Sequence, residues 1–214
     1  MKLNKGFFIS FEGPDGSGKS SVIKEIYNLL IKDGFEVVLT REPGGTNNVI
    51  AEDIRKILLN KIEYKFDNRA EALLFSASRA QHVHDFIKPN LEQNKIVLCD
   101  RYVDSSLVYQ GLGRKLGVEK IWEINEFAMN GCVPDATFIL MVDVETGMER
   151  IAKNRSDKMD RMDLEKKELH QKVYDGYKFL LEKDTTKRLV EIDASKTMNE
   201  VIKNVYEKIK TMLN

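Results

Sequence analysis

One stretch of fifteen residues near the start of the chain, FFISFEGPDGSGKSS at 7–21, constrains the fold more than any other. It indicates an apolar strand, a glycine-rich loop and the first turn of a helix. The eight residues from Gly13 to Ser20 match the phosphate-loop pattern G-x-x-x-x-G-K-[ST] at every fixed position. Because the flanking strand and helix are the context that this motif requires, the sequence predicts a nucleotide-binding site.

The residue types in this loop suit a phosphate group for two physical reasons. Gly13, Gly16 and Gly18 allow backbone angles closed to other residues, so successive N–H groups can close around an anion at a helix N-terminus. Lys19 supplies a positive charge near the β- and γ-phosphates, and the Ser20 hydroxyl is placed to ligate the Mg²⁺ that bridges them. The residues predicted to bind ATP or a similar nucleotide are Gly13, Pro14, Asp15, Gly16, Ser17, Gly18, Lys19 and Ser20.

The balance of charges limits the partners that the chain is expected to have. Its 214 residues include 34 lysines and arginines and 34 aspartates and glutamates, so no net basic field favours nucleic acid or an anionic membrane. No apolar run approaches the ~20 residues that a membrane span needs. Cys99 and Cys132 are expected to be reduced thiols in the cytosol. We therefore expect a soluble cytoplasmic protein that folds as a single domain over residues 1–214.

Apolar strands alternate with amphipathic helices along the whole chain. Besides the strand before the loop, short apolar runs predict strands at 35–40, 95–100, 136–143 and 189–193. Helical periodicity predicts helices from the loop to Gly34, at 48–59, 70–88, 104–112, 118–130, 145–154 and 164–183, and from Thr197 onward. This alternation is typical of an α/β doubly wound, mostly parallel sheet, in which right-handed crossovers place the phosphate loop at the carboxyl ends of the strands.

The same periodicity predicts which helical residues face the core. They are Ile50, Ile54, Ile57 and Leu58 in the helix at 48–59, and Leu73, Ala77 and Ala80 in the helix at 70–88. Pro89 is expected to end the second of these helices, in which Phe75 and Arg79 share a different face. Thr197 and Glu200 are spaced as a capping box for the last helix.

A phosphate loop alone does not define a reaction, so other residues must do so. A GTPase switch would carry an Asn/Thr-Lys-x-Asp motif that reads guanine, and the chain has none after its fourth strand. Instead, arginines lie at the ends of strands and helices, and the strand KIVLCD ends on Asp100, which predicts a carboxylate on the metal side of the site. Phosphoryl transfer between two anions needs many cations, so this supply suits two phosphorylated substrates.

Several further blocks resemble the thymidylate kinase family, in particular its bacterial members. Besides the loop, they are TREPGGT at 40–46, EALLFSASRAQH at 71–82, DRYVDSSLVYQG at 100–111 and NEFAMNGCVPD at 125–135. The resemblance covers nearly the whole chain. It implies a kinase that uses ATP and Mg²⁺ to phosphorylate dTMP to dTDP, a P-loop nucleoside-monophosphate-kinase fold of sheet order 2-3-1-4-5, and a homodimer. It also implies a cis peptide bond between Glu42 and Pro43.

The resemblance assigns the dTMP site residue by residue. It implies that Phe75 stacks on thymine and that Arg79, one helical turn later, bonds the base. Ser106 and Gln110 match polar contacts on the base side. Tyr109 matches a ring beside the sugar that disfavours a ribose 2′-OH.

For the sugar and phosphate groups, the resemblance implies that Asp15 holds the 3′-OH and that Arg55 and Arg101 clamp the acceptor phosphate. Asp100 matches the Mg²⁺ side of the site together with Ser20.

The last predicted feature is a lid. Kinases of this type carry a catalytic arginine either in the phosphate loop or in a mobile lid, and residues 14–17 contain none. The lid is expected at 153–161, KNRSDKMDR, with Arg155 as the catalytic candidate and Lys153 and Arg161 as alternatives. The predicted catalytic residues are Lys19, Arg101, Arg155 and Asp15.

Two other functions stay open on the sequence alone. A deoxynucleoside kinase would accept an uncharged nucleoside and should not need phosphate clamps at both Arg55 and Arg101. A regulator that holds ATP without turning it over would need neither a lid nor an acceptor pocket.

Overall fold

The structure is a computed structural model that describes residues 3–60, 66–154 and 167–213. Five parallel strands form a sheet in the order β2-β3-β1-β4-β5, as the resemblance implied. They are β1 Phe7–Glu12, β2 Val37–Arg41, β3 Ile96–Asp100, β4 Ala136–Met141 and β5 Leu189–Asp193. The predicted strands are therefore confirmed, with ends that differ by one or two residues.

Helices connect the strands and cover both faces of the sheet. They are α1 Lys19–Lys32, α2 Val49–Leu59, α3 Asn68–His82, α4 Lys88–Glu92, α5 Val103–Ser106, α6 Val118–Met129, α7 Val144–Asn154, α8 Lys167–Lys183 and α9 Met198–Leu213. Two π-helical segments occur, Val83–Ile87 between α3 and α4 and Leu107–Gly113 after α5. None of the described helices is both long and apolar enough to cross a bilayer.

Two apolar cores lie on the two faces of the sheet, because successive strand residues point to opposite sides. On one face, Phe8 and its neighbours pack against α3, α6, α8 and the π segments. On the other face, Ile9 and Phe11 pack against α1 and α9. Central strands that are buried on both faces need continuous apolar sequence, which explains why β1, β3 and β4 were visible as apolar runs.

The ends of two helices match their sequence signals. The chain leaves α1 through Gly34 at φ 85°, a left-handed conformation that glycine adopts without strain. At α9, the Glu200 amide donates to Thr197 Oγ1 (3.4 Å) and the Thr197 amide donates to a Glu200 carboxylate oxygen (3.0 Å). The predicted capping box is confirmed.

The predicted inner face of α3 is wrong. Leu73 is 55% exposed and Ala77 is also exposed, whereas the buried side of the helix carries Glu71, Ser76, Ser78, Arg79 and His82. The physical reason is that this side of α3 faces hydrogen-bonding partners in the loop after β2 and in α6, so its polar groups are satisfied inside. Leu73 and Ala77, which the apolar periodicity assigned to the core, therefore lie on the outer side of the helix.

The core prediction for α2 is wrong in part. Leu58 is buried, but Ile50 is 56% exposed and Ile57 is 51% exposed. Only Ala51 and Leu58 of this helix are buried where it packs in the fold, so its apolar residues are more numerous than its contacts bury.

Pro89 does not end the helical stretch, contrary to the prediction. After α3, the π segment Val83–Ile87 leads into α4, which contains Pro89 in its first turn. Proline is tolerated in the first turn of a helical segment, where its missing N–H costs little. The boundary predicted at Pro89 therefore falls inside a continuous helical path to Glu92.

Candidate active site

The phosphate loop joins β1 to α1 at the carboxyl edge of the sheet, where the sequence placed it. Its glycines adopt left-handed angles, with φ 135° at Gly13, 78° at Gly16 and 84° at Gly18. A Cβ at Gly16 would lie 2.1 Å from the carbonyl oxygen of Gly147 in α7. Glycine is needed here both for its backbone angle and for the close approach of α7.

Lys19 lies at the start of α1 with its ammonium folded over the loop. Its Nζ donates to the carbonyl oxygens of Gly13 (2.9 Å) and Pro14 (2.9 Å) and to Ser17 Oγ (3.3 Å). Burial lowers the pKa of Lys19 and the nearby charge of Arg101 lowers it further, to about 8, although neighbouring carboxylates partly offset both effects. The ammonium is thus held at the mouth of the loop and titrates close to neutral pH.

The two residues predicted for the metal side lie together. Ser20 Oγ donates to Asp100 Oδ2 at 2.7 Å, which brings a hydroxyl and a carboxylate from α1 and β3 to one point beside the loop. Oxygen ligands of this kind suit Mg²⁺, which is commonly held by one or two protein groups together with substrate phosphates. Among the described residues, no cluster of three or more histidines, cysteines or carboxylates could hold a metal without such phosphates.

Asp15, Arg101 and Tyr109 form a connected group on the acceptor side of the loop. Arg101 donates through Nη2 to Asp15 Oδ1, and the Tyr109 hydroxyl donates to Asp15 Oδ2 at 2.9 Å. The guanidinium also lies over the Tyr109 ring, 5.3 Å from its centroid. Burial acts to raise the pKa of Asp15, but Arg101 and Lys19 outweigh it and hold the pKa at about 2. Asp15 is therefore a carboxylate acceptor throughout the physiological pH range.

A buried glutamate at the end of β1 supports this group and was missed in the sequence. Glu12 is fully buried and accepts hydrogen bonds from the Tyr102 amide (2.7 Å), Ser105 Oγ (2.6 Å) and the Tyr177 hydroxyl (2.8 Å). Burial and the charge of Asp104 raise the pKa of Glu12. Its position just before Gly13 was visible in the sequence, but its partners lie far away along the chain.

Arg79 is held by a second buried acidic residue, Glu42. Arg79 is 2% exposed, and its Nε and Nη2 contact Glu42 Oε2 at 2.8 and 2.7 Å. Its Nη1 donates to Ser106 Oγ (3.2 Å) and to Asn125 Oδ1. The roles of Glu42 and Asn125 were missed in the sequence, although both lie in the blocks that carry the family resemblance.

The loop after β2 completes the wall around Arg79. The peptide bond between Glu42 and Pro43 is cis, as predicted. His82 bridges this loop and α3, because its Nδ1 lies 3.0 Å from Glu42 Oε1 and its Nε2 lies 2.7 Å from Thr40 Oγ1. Arg55 of α2 reaches over the loop and donates to the Pro43 carbonyl oxygen at 2.7 Å.

The phosphate loop from Asp15 onward and the two buried arginine groups border one cleft of about 790 Å³, whereas Glu12, His82 and Asn125 lie behind its lining. The residues proposed from sequence that line it are Asp15, Gly16, Ser17, Gly18, Lys19, Ser20, Arg55, Phe75, Arg79, Asp100, Arg101, Ser106, Tyr109 and Gln110. Gln110 is buried at its floor, where Nε2 donates to Glu71 Oε1 at 3.0 Å. On the other side of the loop the cleft is lined by Arg150, Ile151, Ala194, Lys196, Thr197, Met198 and Val201. Of these, the sequence indicated only Arg150, as one of the cations available for phosphorylated substrates.

The predicted lid can be compared with the structure only at its first two residues. Lys153 lies exposed near the end of α7, and Asn154 is the last residue of that helix. Arg155 and Arg161 lie outside the described residues, so the structure does not test their role.

A parallel sheet of this order, with a phosphate loop at one end of a cleft and buried arginines at the other, defines the class of P-loop nucleotide-binding proteins with a second ligand pocket. A family model described as thymidylate kinase matches residues 11–205. The chain belongs to the thymidylate kinase family.

Individual relatives agree with this assignment. The chain is 48% identical to a thymidylate kinase of Geobacillus thermodenitrificans (92% of this chain, 86% of the relative) and 50% identical to that of Leuconostoc mesenteroides (94% and 93%). A solved structure of thymidylate kinase from Ehrlichia chaffeensis matches with a TM-score of 0.76 and 31% identity, and covers 96% of this chain and 99% of that one.

Nucleotide binding should weaken as the pH rises above about 8, because Lys19, whose pKa is lowered to about 8, then loses its charge. A bound triphosphate favours the protonated ammonium, so the Kd for ATP should rise by up to about tenfold per pH unit above the pKa of the free protein. Calorimetric titrations at constant ionic strength between about pH 7 and about pH 9.5 measure this change.

The matched control for this experiment is Lys19→Met. Its binding should be weak and should lack the rise in Kd that Lys19 causes. Other lysines and the nucleotide itself contribute equally to both proteins, so the ratio of the two Kd values isolates the effect of Lys19. A wild-type Kd that stays constant up to the highest pH would contradict the prediction.

Proposed function

We propose that this protein transfers the γ-phosphoryl group of ATP to dTMP and so produces dTDP and ADP. The observation that carries the proposal is the single cleft that connects the phosphate loop with Arg79 and Phe75. Membership of the thymidylate kinase family supports the same reaction. The donor and acceptor would meet beside Lys19 and Arg101, where the positive charge is concentrated.

The donor site is formed by the loop and by the opposite end of the cleft. The amides and Lys19 would hold the β- and γ-phosphates, and Arg150 with the segment 194–198 would border the nucleoside. Ser20 and Asp100 would hold Mg²⁺, which would neutralise part of the charge of the phosphates.

The base pocket suits a pyrimidine with a carbonyl group at position 4. An arginine side chain donates five N–H bonds and accepts none. Four of the donors of Arg79 have partners in Glu42, Ser106 and Asn125, which leaves one N–H of Nη2 for a ligand in the cleft that Arg79 lines. That N–H would donate to the thymine carbonyl oxygen but would meet a second donor, the amino group, in cytosine. Phe75 lines the same pocket and would stack on the ring.

The sugar and phosphate side is formed by Asp15, Tyr109, Arg55 and Arg101. Asp15 is an acceptor at neutral pH and would receive the 3′-OH, whereas the Tyr109 ring would limit the room for a 2′-OH. Arg55 and Arg101 border the cleft between the base pocket and the loop, and would hold the acceptor phosphate in line with the donor. Two arginines at this point favour a phosphorylated acceptor over a free nucleoside.

A panel of acceptors tests the function directly. In an assay that couples ADP release to NADH oxidation, dTMP should give the highest kcat/KM. The value for dUMP should be lower by about 10- to 200-fold, because one lost methyl contact costs roughly 1–3 kcal/mol. Turnover of thymidine without turnover of dTMP would instead indicate a deoxynucleoside kinase, and ATP binding without any acceptor would indicate a regulator.

Two arginines on α3 provide a matched pair for this assay. Arg79→Lys should reduce the preference for dTMP over dCMP by about tenfold or more, because lysine lacks the planar fork of donors. Arg69→Lys should leave it unchanged, since the Arg69 side chain is 80% exposed. If both variants lost the same preference for dTMP over dCMP, the role of Arg79 in the base pocket would be contradicted.

We further propose that the lid at 153–161 supplies the catalytic arginine, because residues 14–17 of the loop contain none. Arg155→Ala should lower kcat by about 10³-fold while the Kd of dTMP stays unchanged, as expected for a group that acts mainly in the transition state. Lys153→Ala and Arg161→Ala, measured separately, identify the position that acts. If none of the three substitutions lowers kcat by about tenfold, residues outside the lid stabilise the charge on the transferred phosphoryl group, and the proposal is wrong.

A homodimer is supported by exposed apolar side chains on three helices that pack side by side, α2, α3 and α6. Phe127 of α6 is 90% exposed, and it borders a shallow groove together with Ala80 of α3. Leu73 of α3 and Val49, Ile50 and Ile57 of α2 are also more than half exposed. A set of this kind is typical of a surface that another protein covers, and we propose a second copy of the chain.

Light scattering tests this arrangement. The wild-type protein should have the mass of a dimer, and Phe127→Glu should be largely monomeric because it would bury a charge in an apolar contact. Phe179→Glu is the control, since Phe179 is 40% exposed on α8 and lies outside this set. A monomeric wild type, or two variants that behave alike, would contradict the proposed surface.

We also infer that residues 1–214 form one kinase domain and that the protein works in the cytoplasm. The inference on location is supported by Cys99 and Cys132, both of which are free thiols.

A further inference from the structure

Tyr177 is a fully buried tyrosine on α8. Its ring belongs to the apolar core on the α3 side of the sheet, and α8 packs there against the π segment after α5. Its hydroxyl, however, points into the polar group beneath the phosphate loop. A buried tyrosine hydroxyl costs desolvation unless it is hydrogen-bonded, so its partners are informative.

One partner, Glu12, determines where the hydrogen atoms of the Tyr177 and Ser105 hydroxyls point. Glu12 Oε2 accepts from the Tyr177 hydroxyl at 2.8 Å and from Ser105 Oγ at 2.6 Å. Each hydroxyl lies closer to this carboxylate oxygen than to the other hydroxyl, which is 3.1 Å away, so both direct their hydrogen at Glu12. The lone pairs of both oxygen atoms are then left to face other donors.

The donor that faces these lone pairs is Arg101. Its Nη1 lies 3.1 Å from Ser105 Oγ, 3.3 Å from the Gly13 carbonyl oxygen and 3.4 Å from the Tyr177 hydroxyl oxygen, while its Nη2 contacts Asp15. One nitrogen of the guanidinium is therefore held by two oriented hydroxyls and a carbonyl group of the phosphate loop, and the other by a carboxylate. This arrangement fixes the plane of the guanidinium, which hydrogen bonds from one side alone would not do.

We propose that Tyr177 is a positioning residue for Arg101. Through its hydroxyl, which Glu12 orients, it holds the guanidinium in the plane that the acceptor phosphate requires. The inference rests on the proposed function in one respect, the role of Arg101 as a phosphate clamp. It makes α8, which does not itself line the cleft but contacts Ser105 through Tyr177, a structural part of the acceptor site.

The first test is Tyr177→Phe, which removes the hydroxyl and keeps the ring in the core. We expect kcat/KM for the acceptor to fall about tenfold, in the lower range for a hydrogen bond to a charged group, and the Kd of ATP to stay unchanged. Tyr174→Phe is the matched control, because Tyr174 lies one turn earlier on α8 and its hydroxyl has no hydrogen-bond partner in the part of the chain that the structure describes. It should leave kcat/KM unchanged.

A double-mutant cycle separates positioning from general support of the fold. In an Arg101→Lys background, Tyr177→Phe should lower kcat/KM by less than about twofold, because no guanidinium is left to orient. Additive effects of the two substitutions would overturn the proposal, since a structural role of Tyr177 would persist in the lysine variant. The proposal would also be overturned if Tyr177→Phe and Tyr174→Phe had the same kcat/KM.

A second variant addresses the case in which Tyr177→Phe does not fold. Glu12→Gln keeps the shape of the side chain, but its amide can donate to a hydroxyl oxygen and turn that hydroxyl towards Arg101. Glu12→Gln should lower kcat/KM for the acceptor by the same factor of about ten, and it should have almost no effect on kcat/KM in the Arg101→Lys background. Melting temperatures identify any variant that is merely unstable.

The outcome for the wild type distinguishes this inference from the proposed function. If the wild type does not phosphorylate dTMP, the proposed function fails, and the cycle is measured with the acceptor that gives the highest kcat/KM. If dTMP is phosphorylated but the cycle is additive, only the role of Tyr177 fails.

Discussion

Buried charges at the carboxyl edge of the sheet are the constraint on which the rest of the structure depends. Glu12, Glu42 and Arg79 are each at most 5% exposed, and Lys19 and Asp15 lie nearly as deep. An isolated buried charge would cost many kcal/mol, so each must be paired or hydrogen-bonded in the folded chain. The pairing draws on α3, the π segment after α5, and α8, and this explains why helices from distant parts of the sequence converge on one edge.

This pairing also serves the chemistry. A transition state with developing negative charge is stabilised most by donors that are already oriented, because no solvent or side chain has to rearrange during the reaction. Arg79 is fixed by Glu42, Ser106 and Asn125, and Arg101 is fixed by Asp15 and two hydroxyls. The acidic residues thus cancel part of the positive charge of the cleft, but in return they determine the direction in which the remaining donors point.

The sequence predicted the features that depend on local or strictly periodic patterns. The phosphate loop, the five strands and the capping box of α9 could be read from neighbouring residues, and the sheet order and the cis bond before Pro43 followed from the family resemblance. The missed residues depend on contacts over long sequence separations. Tyr177 lies 165 positions from Glu12, and as one more aromatic residue on an amphipathic helix it gave no signal of a polar partner.

The error in α3 has the same cause and connects the site with the proposed dimer. Periodicity assigns apolar residues to the inside because burying them is normally the main gain, but here the inner side of the helix carries Ser76, Ser78 and Arg79. Because the buried side of this helix is occupied by residues with polar partners, its apolar residues lie on the outer side, where Leu73 is exposed. Covering that side by a second copy would recover the hydrophobic stabilisation that the base pocket displaces from the core. The same helix would then bind the base with one side and a second copy with the other. A shift of the helix would therefore alter both the base pocket and the dimer contact.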